Sequence, residues 1–89
     1  MTRMHKPPHP GAVLAQWLVG PEDVAITQLA ERIHVTRATV AQIISGHSSI
    51  TSDLAIRLGR ALGTSSELWM GMQSAYDVEM AESKPRAGK

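Results

Sequence analysis

In the stretch "RATVAQIISGHSS", residues 37–49, polar side chains with hydrogen-bonding heads recur among apolar ones. Those heads suit the edges of nucleic-acid bases. Arginine can bond guanine at two points, glutamine can do the same with adenine, and alanine or threonine methyl groups can touch the methyl of thymine. On a helix of about 3.6 residues per turn, Ala38, Gln42 and Ser45 lie opposite Val40, Ile43 and Ile44. Thr39 and Ala41 flank that outer stripe, and Arg37 sits in the first turn, long enough to reach outward. The candidate base-contacting residues are Arg37, Ala38, Thr39 and Gln42. Small side chains at Ala38 and Ala41 would let the helix sit deep in a major groove. An ordinary solvated helix face uses the same residue types, and periodicity alone does not separate the two.

A groove reader also needs donors to the phosphates beside the groove. Thr27 and Gln28 are expected at a helix N-terminus, where free N–H groups favour an anion, and Thr36 is similar. His47, Ser48 and Ser49 follow the reading helix and could reach the backbone. Few lysines or arginines are in reach. The expected salt dependence is shallow, equivalent to roughly two to five neutralised phosphates per monomer.

Other chemistries find no support. The histidines at positions 5, 9, 34 and 47 have no metal-ligand spacing, and cysteine is absent. Glu22 and Asp23 are the only adjacent carboxylates placed on one face, and they read as loop. There is no glycine-rich phosphate loop and no nucleophile elbow. The sequence reads as a non-enzyme without metal or cofactor.

The elements that would position this face form one small domain. The chain has 89 residues, no Phe, two Trp and one Tyr, so aliphatic residues and Met must fill its core. The net charge of +1 is unevenly spread. Arg3 and Lys6 lie before Gly20 with no acids, Arg32, Arg37, Arg57 and Arg60 dominate the middle, and residues 67–82 carry only Glu67, Asp77, Glu79 and Glu82. Such a layout could meet a polyanion on one side and a basic partner on the other, although a mixed soluble surface explains it equally well. The prolines before "AVLAQWLVG" argue against a signal peptide, and no stretch approaches the ~20 apolar residues of a membrane span. A cytoplasmic setting is expected.

Residues 1–9 are expected as a flexible arm, 10–81 as an all-α domain of five helices, and 82–89 as a disordered tail. Pro10 suits the first turn of a helix, and Val13, Leu14, Trp17 and Leu18 give it an apolar face. "GPED" ends it. Thr27 is expected to cap helix 2, with Leu29, Ala30 and Ile33 inside. Thr36 caps helix 3, and Gly46 closes it. Thr51 caps helix 4, which buries Leu54, Ala55, Leu58, Ala61 and Leu62. Either Thr64, with Glu67 as its capping-box partner, or Ser65 caps helix 5. Leu68, Met72, Ala75, Tyr76 and Glu79 follow its period.

Helices 2 and 3 are short and joined by "HVT", which is the helix-turn-helix arrangement. Ala30 lies where the two helices cross, and a larger side chain would hold them apart. Four residues later the turn often requires a positive φ. His34 stands there, one of the non-glycine residues enriched in that region. A single monomer would hold DNA weakly, so dimerisation through helices 4 and 5 is expected, with Trp69, Met70, Met72 and Tyr76 as the interface candidates; the same residues equally suit the local core, Trp69 above all.

"HPGAVLAQWL", "ITQLAERIHVTRATVAQIISG" and "ITSDLAIRLGRALGTSSELWMGMQSAYDV" together resemble the HigA antitoxins of the XRE, or lambda-repressor-like, helix-turn-helix family. The resemblance runs from about residue 9 to residue 78. Its late part, with Trp69, Gln73, Tyr76 and Asp77 after "LGTS", is more specific than the helix-turn-helix itself. It implies a five-helix lambda-repressor-like domain and a homodimer that represses its own operon. It also implies an antitoxin for a RelE-like ribonuclease toxin, HigB. On the resemblance, the base readers are Arg37, Ala38, Thr39 and Gln42. Two departures stand out: His34 replaces the turn glycine, and the loop after Gly46, often basic in the family, is "HSS". A stand-alone phage-type repressor, or a protein-binding module that has lost DNA binding, remain the alternatives.

Overall fold

A computed structural model of the chain describes residues 6–83. It contains α1 (Pro10–Trp17), α2 (Glu22–Ile33), α3 (Arg37–Ile44), α4 (Ser52–Leu62) and α5 (Ser66–Ser83). Among the described residues there is no strand. This is the expected all-α, five-helix, lambda-repressor-like architecture. Residues 1–5 of the expected arm and 84–89 of the expected tail lie outside the described residues.

Pro10 opens α1, as its fixed φ favours. The cap before it is His9, whose Nδ1 accepts the Gly11 N–H at 2.9 Å. The His9 ring also meets Tyr76 edge-on, with centroids 4.9 Å apart. His9 is therefore tied to the helical domain and does not belong to a free arm.

The start of α2 differs from the sequence expectation. The helix begins at Glu22, and Thr27 lies inside it, its hydroxyl donating back to the Asp23 carbonyl at 2.9 Å. Pro21 presets the entry, and the carboxylates of Glu22 and Asp23 favour the positive end of the helix dipole. "PED" is thus a helix start and not a loop. At the other end, His34 adopts φ 62, ψ 47, and its N–H and that of Val35 both end on the Ala30 carbonyl. A left-handed conformation costs an L-residue about 1–2 kcal/mol that glycine avoids, and glycine loses part of that gain to its freer unfolded chain. His34→Gly is expected to stabilise the fold by up to about 1 kcal/mol, read as a higher midpoint in urea unfolding. A lower midpoint would mean that the imidazole contributes contacts outweighing its strain.

The remaining caps follow the local signals. Thr36 accepts from the Thr39 N–H and Thr51 from the Leu54 N–H. Gly46, at φ 85, closes α3 through paired bonds from Gly46 N to Ile43 O (3.1 Å) and from His47 N to Gln42 O (2.9 Å). Ser65 caps α5, accepting from Leu68 N at 3.1 Å, while the Thr64 hydroxyl accepts from Trp69 Nε1 at 2.8 Å.

The core gathers Leu14, Ile26, Leu29, Ile33, Val40, Ile43, Ile50, Leu58 and Trp69. Ile50 belongs to it although "HSSI" reads as a loop. The inner stripe of α5 is also rotated from the expected one. Trp69 and Gln73 are buried there, while Leu68 is 41% exposed. Burying the indole removes the largest apolar surface on the helix from water, and Thr64 satisfies its N–H. Trp69, at 0% exposure, takes the core alternative and is unavailable as a dimer surface. Met70 and Met72 are half-buried against that core, and Tyr76 is half-buried beside His9.

Candidate nucleic-acid interface

The reading face begins with the packing behind it. Val40 and Ile43 are buried, which turns Arg37, Ala38, Ala41, Gln42 and Ser45 outward, all exposed. α1 lies directly on the backbone of α3. A Cβ at Gly11 would sit 1.8 Å from the Ile43 carbonyl oxygen. α2 crosses α3 at Ala30, which is fully enclosed.

The turn between α2 and α3 is held from α4. Arg57 Nη1 donates to the carbonyls of Ile33 (2.8 Å) and His34 (3.2 Å), and its Nε pairs with Asp53 at 3.0 Å. A guanidinium thus satisfies the last carbonyls of α2 at the negative end of its dipole. Sequence reasoning gives Arg57 no role. The visible signal is the Asp53–Arg57 spacing of a helical ion pair. The Arg32 guanidinium likewise donates to the Ala61 carbonyl near the end of α4. These arginines are committed to helix ends, which leaves Arg37 as the cation of the reading helix.

Gln42 is the hub of the face. Its backbone carbonyl accepts from His47 N (2.9 Å), Ser48 N (3.2 Å) and the Ser45 hydroxyl (3.1 Å). Its side-chain Oε1 accepts from the Ser48 hydroxyl at 3.1 Å. His47 Nδ1 lies 2.7 Å from the Ser45 hydroxyl. The loop expected to grip phosphate therefore turns the Ser48 hydroxyl onto Gln42 and His47 Nδ1 onto the Ser45 cap of α3, and Ser49 remains exposed. From beneath, buried Gln73 accepts the Ile50 N–H at 2.7 Å and donates to Asp77 at 2.9 Å, pinning the far end of this loop to α5.

Other expected positions fare unevenly. Arg37, Ala38 and Gln42 share the outward face. Thr39 is half-buried at its edge, with its hydroxyl 2.9 Å from that of Thr36. Thr36 stands at the N-terminus of α3, as expected. Thr27 and Gln28 stand in the second turn of α2, so the helix N-terminus expected there is instead at residues 22–24, where the Val24 N–H already donates to the Asp23 carboxylate at 3.0 Å. Gln28 remains exposed and offers only its side chain.

The sequence matches the helix-turn-helix family HTH_3 over residues 22–69, from the start of α2 to the buried indole of α5. A HigA-family antidote protein of an addiction module from Coxiella burnetii superposes with a TM-score of 0.79 at 39% identity, covering 86% of this chain and 84% of that one. The Pseudomonas aeruginosa antitoxin HigA, solved with the higBA promoter, superposes with a TM-score of 0.75 at 37% identity, covering 84% and 82%. Virulence-associated protein I of Dichelobacter nodosus is 36% identical over 74 residues, which is 83% of this chain and 68% of that protein. The matched span takes in both helices of the turn and the core around them, and the chain belongs to the HTH_3 helix-turn-helix family, in its HigA-type antitoxin group.

Proposed function

We propose that this protein is a sequence-specific DNA-binding repressor and the antitoxin of a type II toxin–antitoxin module. It represses its own operon and neutralises a RelE-like ribonuclease toxin of the HigB kind, in the cytoplasm. Its family consists of regulators and not enzymes. The observation that carries the reading is the exposed face of α3, where Arg37, Ala38 and Gln42 stand outward while α1 and α2 pack behind. The related HigA protein solved on promoter DNA supports it.

Each bidentate base contact discriminates by about 1–3 kcal/mol, so Arg37→Ala with Gln42→Ala is expected to weaken binding to the DNA upstream of its own gene by at least about thirtyfold. Gel-shift titration measures this, with circular dichroism to show that the fold survives. A folded double variant that binds the same DNA as tightly as the parent would leave only the protein-binding reading. Adding the product of the adjacent gene to the same titration tests the toxin. No effect on the complex and no association with the protein would favour the stand-alone repressor.

Two copies are proposed to bind half-sites about 34 Å apart. Trp69 being core, the apolar side chains of α4 and α5 left as candidates for pairing are half-buried Met70, Met72 and Tyr76 and exposed Ile56, Leu68, Val78 and Met80. Sedimentation at micromolar concentration that detects only monomer would refute this assembly. The acidic side chains of α5 suit a basic toxin.

A further inference from the structure

Ser48 has a bond that phosphate contact does not explain. Its hydroxyl donates to Gln42 Oε1 at 3.1 Å, while its own N–H ends on the Gln42 carbonyl at 3.2 Å. The position of Ser48 is thus fixed by the same residue whose side chain it holds. The turn that makes this possible depends on Gly46 at φ 85 and on the Gln73–Ile50 bond beyond. The Gln42 side chain is exposed, and Oε1 is the carboxamide atom that Ser48 engages. One end of the carboxamide is therefore anchored, and the other faces outward as a donor.

We infer that Ser48 is a positioning residue for base reading. It fixes which end of the Gln42 carboxamide faces the groove, and so makes Gln42 selective for adenine and unfavourable to cytosine. This rests on the DNA-binding reading of α3. The outward NH2 can donate to purine N7, and the second lone pair of Oε1 can accept from adenine N6. Without the serine hydroxyl, either end of the amide can turn outward. The carbonyl end would then accept from the cytosine amino group, and discrimination would fall. Immobilising the long glutamine side chain before binding also removes part of its entropy cost on binding.

The test is selection from a library of randomised duplexes by the full chain and its variants. In the parent, one position per half-site should favour adenine and disfavour cytosine, and Gln42→Ala should erase that preference. Ser48→Ala should reduce it at that same position by roughly three- to tenfold, as the loss of one ordinary hydrogen bond does. Ser48→Thr, which keeps the hydroxyl, should restore it. Affinity for non-specific DNA and its salt dependence should stay at parent values. An unchanged preference in Ser48→Ala overturns the inference. So does a uniform loss across all sequences with a shallower salt slope, which would make Ser48 a phosphate contact. Enrichment of no sequence by the parent overturns the DNA-binding reading and this inference with it.

Discussion

Gly11→Ala is expected to destabilise the protein by about 3 kcal/mol, the upper end of the usual range for overpacking. The added methyl would lie 1.8 Å from the Ile43 oxygen, 2.6 Å from its carbonyl carbon and 3.0 Å from the Ile44 Cα. All three are backbone atoms, so no side-chain rotation can relieve the clash. Alanine does favour a helix over glycine by about 1 kcal/mol. That gain is outweighed by the need to push α1 away from α3 by a distance on the order of an ångström, in an interior packed like a molecular crystal. For a domain of this size each kcal/mol shifts the melting temperature by about 4–8 °C, so a fall of roughly 15 °C is expected in thermal unfolding. Melting at or above the parent temperature would show that α1 does not rest on α3 in this way. Because α3 carries the reading face, displaced helices should also weaken promoter binding in whatever fraction stays folded.

Trp69→Ala should have the largest effect on stability, about 3–5 kcal/mol for truncating a buried aromatic. The indole is 0% exposed, donates to Thr64 at 2.8 Å and packs edge-on to Trp17 with centroids 6.2 Å apart. Small domains lie near the lower end of the ~5–15 kcal/mol stability range, so this variant should be largely unfolded at room temperature. Trp69→Phe refills much of the space and loses only the N–H bond, so it should cost about 1–2 kcal/mol. Circular dichroism with urea titration reads both. The alternative is clear-cut: were Trp69 an interface residue, Trp69→Ala would give a well-folded monomer.

What can be read from the residues follows the range of each signal. Caps act over three or four residues, so Thr36, Thr51, Gly46 and the positive φ at His34 are legible locally. The outward phase of α3 is legible too, because Val40 and Ile43 fix it. The start of α2 is misread from sequence because two signals compete. Thr27 has the better capping side chain, but Pro21 followed by two carboxylates sets the helix several residues earlier and buries Ala25 and Ile26 as well. The phase of α5 is missed for a different reason. A periodicity rule counts glutamine as a surface residue, whereas Gln73 is buried to meet an N–H 23 residues away in the chain. Nothing local announces such a partner. In the site, the outward residues of α3 can be named from spacing, but the use of Ser48 and His47 cannot. Their partners depend on how the chain turns after Gly46.

The bond from Ile50 to Gln73 has a consequence for how the molecule breathes. A loop after a recognition helix would ordinarily open alone, at little cost, because few buried contacts hold it. Here its last backbone N–H is capped by a side chain on another helix, and Ile50 itself is in the core. To release the loop, the chain must also unseat Gln73 and strip Ile50 of its packing. The hinge of the reading head and the final helix therefore rise and fall as one cooperative unit, and a partner that clamps α5 would quiet the loop without touching it.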